Sequence, residues 1–131
     1  MRSLTLALLV ALFVAACAGD GSIERTAWRL SEPPDGHSLE LFVFSGHSSC
    51  LTYDHVEMDE TEDSVEVRAY VHYNGDDACT DDFVTERVQV RLNQALGDRK
   101  LEGCSGPEVE WNAFEIYLKE TSDDCRATYD F

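Results

Sequence analysis

The clearest pattern in the chain is an alternation of period two. In Ser64-Val65-Glu66-Val67-Arg68-Ala69-Tyr70-Val71-His72-Tyr73, Val65, Val67, Ala69, Val71 and Tyr73 take one face, while Glu66, Arg68 and His72 take the other. Such alternation marks a strand with one buried side. Val84 to Leu92 repeats it, with Val88, Val90 and Leu92 inward and Arg87, Gln89 and Arg91 outward. Leu39-Glu40-Leu41-Phe42-Val43-Phe44 is a nearly continuous apolar run and predicts a buried strand. Thr26 to Leu30 predicts a short first strand, and Cys50 to Met58 predicts another with imperfect alternation.

Turn chemistry separates these runs. Pro33-Pro34-Asp35-Gly36 is a turn, because proline fixes φ and Asp-Gly tolerates a tight backbone. Ser45 to Ser49 is a loop, Asp59 to Asp63 an acidic connection, and Leu96-Gly97-Asp98-Arg99 a second turn. A hairpin joining 50–58 to 64–73 brings Cys50 near the far end of the second strand. The loop Asn74 to Ala78 then returns Cys79 to it. Ser105 to Glu120 carries two patterns. Ser105-Gly106-Pro107-Glu108 fits a helix-opening capping box, and a strand broken at Ala113 fits Val109, Trp111, Phe114, Ile116 and Leu118. A short helix is the preferred expectation there.

Short strands at short spacing predict a mainly β fold: a small antiparallel β-sandwich or partly open barrel. Its expected core is Trp28, Leu41, Phe42, Phe44, Val65, Val67, Val71, Val88 and Val90.

The N-terminus has a different character. Arg2 precedes the apolar run Leu4 to Ala16, which ends in Val14-Ala15-Ala16-Cys17. A basic start, a short apolar stretch and small residues at the exit describe a secretory signal. The tetrad ending in Cys17 resembles the lipobox of bacterial lipoproteins, which implies cleavage before Cys17 and lipidation of its thiol, with palmitate among the acyl chains. Ala16-Cys17-Ala18 also fits ordinary signal cleavage after Ala18. The expected organisation is a signal peptide over 1–16, a lipid-anchored tether over 17–25 and one domain over 26–131. The address is the bacterial cell envelope, outside the cytoplasm and membrane-anchored through the N-terminal lipid.

Cysteine count adds a constraint. Without Cys17, the chain keeps Cys50, Cys79, Cys104 and Cys125. An even set in an exported protein fits two disulfides, for which three connectivities exist. Cys50–Cys79 and Cys104–Cys125 are preferred, because each pair brackets one contiguous unit. No C-x-x-C spacing points to zinc.

Charge excludes one class of partner. The formal net charge is −16, with 26 acidic residues against 10 basic ones, and every acid lies beyond residue 16. Such a surface repels nucleic acid and keeps a protein soluble. The partners that remain are the membrane, through the lipid, and an envelope protein or ligand.

From Leu39 to Gly103 the chain resembles an uncharacterised family of small exported bacterial proteins, often lipoproteins and often actinobacterial. The shared elements are the apolar strand Leu39 to Phe44, Cys50, the acidic turn and V-x-V strand from Glu60 to Val67, Cys79-Thr80, Val88 to Leu92, and Leu96-Gly97-Asp98-Arg99. They cover about half of the chain. Where the pattern often has proline before that leucine, this chain has Ala95. The resemblance implies a Cys50–Cys79 bridge and an extracytoplasmic address, and it brings no activity.

Candidate chemistry is sparse. Gly46-His47-Ser48-Ser49-Cys50 lacks the final glycine of a nucleophile elbow, and Cys50 is expected to be half of a cystine rather than a thiolate. His55 and His72, with Asp54 near, can approach across the hairpin as a zinc or copper pair, but ordinary surface histidines on polar strand faces are the preferred reading. Asp76, Asp77, Asp81 and Asp82 surround Cys79 and offer oxygen ligands for Ca2+ without EF-hand order; a solvated, repulsive loop that deters edge pairing is the preferred reading, with no cofactor expected. Arg99 is expected to pair with Asp98 or a nearby acid. Trp111, Tyr117 and Tyr129 are aromatic enough for a sugar platform, although core packing is the commoner role. The functional expectation is a non-enzymatic envelope lipoprotein, a surface-displayed binding or structural module. The alternatives are a protease-inhibitor-like module presenting Ser45 to Ser49, and a small metal-dependent hydrolase.

Overall fold

The computed structural model describes residues 21–82, 84–105 and 124–130. It is mainly β, with seven strands: β1 (Ser22–Thr26), β2 (Trp28–Leu30), β3 (Ser38–Phe44), β4 (Leu51–Glu60), β5 (Ser64–Tyr73), β6 (Thr85–Arg91) and β7 (Lys100–Glu102). A 3-10 turn spans Cys125–Asp130. The first sheet is built on β5, which pairs antiparallel with β4 on one side. On its other side β5 pairs antiparallel with β1 and, further along, parallel with the short β7. The second sheet has the order β2-β3-β6, all antiparallel. The sheets pack face to face without closing into a barrel.

Hydrophobic alternation dictates which faces meet. Val65, Val67, Ala69 and Val71 of β5 are buried, and Leu39, Leu41 and Val43 of β3 face them. Trp28, Leu30, Leu101, Cys104 and Cys125 complete the same cluster. Val88 and Val90 of β6 and Tyr53, Val56 and Met58 of β4 pack against it partly exposed, because both strands are sheet edges. Phe42 departs from the expected core. The run 39–44 alternates rather than burying every residue, and Phe42 points outward with its ring between two arginines.

The chain changes sheets at Ala27, so the expected single strand 26–30 is two strands. The domain also begins earlier than expected. Ser22–Thr26, of which 22–25 were expected to belong to a tether over 17–25, pairs with Tyr73–Ala69. Between β1 and β7 the edge of β5 has a gap at Val67. Trp28 fills it, donating from Nε1 to the Val67 carbonyl at 2.8 Å, while its backbone N–H donates to Cys104 O at 3.0 Å. Gly103 lies against the same carbonyl: a Cβ there would sit 2.1 Å from Val67 O, and its φ is +96°.

The imperfect alternation of 50–58 has a physical cause. A β-bulge falls between Tyr53 and His55, making Asp54 an extra residue that shifts the phase. Both disulfides form as preferred, Cys50–Cys79 and Cys104–Cys125. The helix expected within 105–120 lies outside the described residues, apart from Ser105, as do the expected signal segment and Cys17.

Candidate functional site

Two loops cross between the sheets at one end of the molecule: Ser45 to Cys50, joining β3 to β4, and Asn74 to Val84, joining β5 to β6. The Cys50–Cys79 bridge ties them. Ser45 N–H donates to Val84 O and His47 N–H to Asp82 O, each at 2.9 Å. Ser48 N–H donates to Asp82 Oδ1 at 2.8 Å, and the Thr80 hydroxyl donates to the same oxygen at 2.6 Å. Thr80 N–H in turn donates to Ser49 Oγ at 2.8 Å. Hydrogen bonds from Ser48 and then Thr80 favour the charged carboxylate, so the Asp82 pKa is held down to about 2. His47 sits at φ 43°, and its Nδ1 donates to Thr80 O at 2.8 Å.

Only Ser48 and Ser49 of the first loop are exposed, whereas Asp76 to Asp81 stand in solvent on the second. The sequence pointed to Ser45 to Ser49 as the presented segment; the longer loop is the more exposed one. Ser49 Oγ accepts from Thr80, Asp82 accepts from Ser48 and Thr80, and Cys50 is a half-cystine.

The four loop aspartates do not act as one group. Asp76 Oδ2 accepts from Asn74 Nδ2 at 3.0 Å, and Asp82 is occupied as described. Among the described residues, no cluster of three or more His, Cys, Asp or Glu side chains is arranged to hold a metal ion. The histidine pair fares the same way. Register sets Thr52 opposite His72 and Tyr70 opposite His55, so the two histidines are not cross-strand partners. The His55 ring stacks on Tyr70 with centroids 4.6 Å apart.

The outer face of the first sheet carries a charge ladder. Asp54 Oδ2 lies 2.5 Å from His55 Nδ1, Tyr70 Oη donates to Glu57 at 3.1 Å, and Arg68 reaches Asp59 at 2.6 Å and Glu66 at 3.0 Å. The Asp54 hydrogen bond raises the His55 pKa, and the Tyr70 hydrogen bond lowers that of Glu57. These groups lie side by side on a pleated surface and pair with one another, with acids in excess.

At the opposite end, Arg99 is nearly buried, its side chain 10% exposed, and it pairs with Glu60 Oε2 at 3.1 Å. The acid is Glu60 rather than Asp98. The guanidinium also donates to Thr61 O at 3.1 Å, Gln94 O at 2.8 Å and Ala95 O at 3.0 Å. Glu60 Oε1 accepts from Asn93 N–H at 2.6 Å, so its pKa is lowered by that bond first and by Arg99 next. A groove of ≈ 350 Å³ lined by Glu60, Thr61, Glu62, Asn93, Gln94 and Arg99 opens above this clasp. The sequence signal for Glu60 was present: it continues the inward phase of Val56 and Met58, although the acidic run around it reads as a solvated connection.

The second sheet's outer face carries a different constellation. The Arg29 guanidinium lies 4.7 Å from the Phe42 ring centroid, and that of Arg87 lies 5.2 Å from it. Register explains the arrangement, because Phe42 on β3 is directly opposite Arg29 on β2 and Arg87 on β6. Trp111 and Tyr117, and the side chain of Tyr129, fall outside the described residues. The chain matches no known family model, and no curated protein or solved structure is significantly similar to it.

Proposed function

We propose that this protein is a non-enzymatic binding module of the bacterial envelope, held at the membrane by a lipid on Cys17. The observation that carries this reading is how the reactive side chains are used. Ser48, Ser49, Thr80, Asp82 and Cys50 clamp two loops to each other, and Glu60 and Arg99 clamp the other end. Each of these groups is committed to a partner within the domain, including Glu60 and Arg99, which line the groove but are tied to each other and to backbone groups. Two closed disulfides support an oxidising, extracytoplasmic address.

The geometry of the tether bears on the inhibitor-like alternative. Gly21 and Ser22 enter β1 opposite Tyr73, at the same end as the disulfide-clamped loops. Cys17 precedes Ser22 by five residues, which span at most about 17 Å when extended. A lipid on Cys17 therefore keeps the Ser45 to Ser49 loop close to the membrane, an unfavourable place for a protease to reach it. The sheet faces and the opposite end are what the anchored domain offers to other proteins.

The test is processing. Protein extracted from membranes should carry the mass of a cleaved, acylated N-terminus at Cys17, and Cys17→Ser should move the chain out of the membrane fraction. An unacylated wild-type chain found only in the soluble fraction overturns the reading.

A further inference from the structure

We propose that the outer face of the β2-β3-β6 sheet binds an extended, carboxylate-bearing peptide segment of a partner. This proposal rests on the binding-module reading and names its ligand, but it does not depend on the lipid anchor.

The argument starts from charge. The chain carries −16 overall, yet the outward positions of these three strands hold Arg29, Arg87 and Arg91 against one carboxylate, Glu40. Glu40 is engaged: it accepts from Ser31 Oγ at 2.7 Å and lies 3.3 Å from Arg87. The Arg87 side chain is still 65% exposed. Other basic groups are drawn into local structure, Arg68 by three acids, Arg99 by Glu60 and backbone carbonyls, and Lys100 by Glu102. The second sheet is thus the face where an anion meets attraction at short range.

Phe42 gives that charge a shape. Its ring attracts a guanidinium to each face, which fixes two flexible side chains before any ligand arrives. Arg29 and Arg87 stand on strands either side of β3, so they are separated by two strand spacings, about 10 Å. Two carboxylates on one segment engage one guanidinium each. Two acidic residues two apart in an extended segment lie about 7 Å apart on one side of it, and glutamate side chains cover the remainder. The ring between them offers an apolar floor for the methylene groups of the two acidic side chains.

The same charge balance selects a peptide over a membrane. A lipid surface is an extended plane, and within a Debye length of about 8 Å it meets the loop acids Asp76, Asp77, Asp81 and Asp82 as well as the arginines. A short segment meets the patch alone.

The probe is a synthetic (Glu-Ser)6 peptide titrated into the full-length processed protein at about 0.15 M ionic strength, followed by amide chemical shifts. Binding is expected, with shifts concentrated on β2, β3 and β6, at least a tenfold loss of affinity in Arg29→Gln/Arg87→Gln and in Phe42→Ala, and no change in Lys100→Gln. A (Lys-Ser)6 peptide should leave these strands unmoved. Absence of binding at millimolar peptide overturns the proposal, as does binding that survives the double arginine variant, maps to other strands, or is matched by phosphatidylglycerol vesicles with the same arginine dependence. Fold retention is checked by the unchanged shifts of β5 in each variant. Failure here leaves the binding-module reading standing, whereas loss of acylation overturns that reading and leaves this titration intact.

Discussion

Truncating Arg99 should unfasten one end of the sandwich. Arg99→Ala removes the pair with Glu60 and hydrogen bonds to the carbonyls of Thr61, Gln94 and Ala95. A net hydrogen bond contributes about 1 kcal/mol, more when the donor is charged and buried. The groove above the clasp admits water, so the orphaned carbonyls rehydrate in part, and we take about 1 kcal/mol for each of the three short carbonyl bonds. The expected loss is about 3 kcal/mol, or roughly 12 °C in Tm at about 4 °C per kcal/mol for a domain near 100 residues. Urea and thermal unfolding with both disulfides intact would measure it. Arg99→Lys should recover less than half, because an ammonium cannot fork to several carbonyls. The pH dependence has a definite sign. The Glu60 pKa is lowered in the folded state, so its stabilisation is present above the unfolded value of about 4.3 and fades as pH falls through the folded one. The gap between wild type and Arg99→Ala should therefore narrow below about pH 4. A loss under about 1 kcal/mol, or zero coupling in an Arg99→Ala/Glu60→Gln cycle, would refute the clasp.

Three further outcomes follow from the same geometry. Gly103→Ala should destabilise far more than Gly36→Ala: both have positive φ, but a Cβ at 103 collides with Val67 O while nothing lies within 4 Å at 36. The expected costs are above about 3 kcal/mol and about 1 kcal/mol, compared by chemical denaturation. Under mild reductant, Cys50–Cys79 should open before Cys104–Cys125, since Cys79 is exposed and the second pair is buried; mass mapping of alkylated thiols would show the order, and losing either bridge should cost about 3 kcal/mol. Asp82 should stay ionised down to about pH 2, so the loop clasp should survive at pH 3 and be lost only below it; carboxyl NMR in wild type and Thr80→Val, where the titration should move up, tests this.

Local pattern alone determined a good deal. Strand β5 is legible to the residue because one buried face imposes strict alternation, and of three possible connectivities the one preferred because each pair brackets one contiguous unit is the one that forms. The mainly β class followed from short alternating runs with turn residues between them. Other features depend on partners far away in sequence. The 39–44 run hides which side is core until β2 and β6 flank it and set Phe42 between two arginines. The Asp54 bulge breaks the period along β4 and sets His55 opposite Tyr70, two positions from His72.

Acidic residues were the hardest to place from sequence, since their spacing says little about solvation. Glu60 looked like part of a solvated run, yet the packing of β4 turns it inward to meet Arg99, 39 residues later. Asp82 looked like one more acid of a solvated loop, yet two loop hydroxyls and an amide surround it. A chain encodes period and turns locally, and these fix strands. Which polar group meets which is decided when sheets stack, because a carboxylate's role depends on donors that only the fold brings within 3 Å.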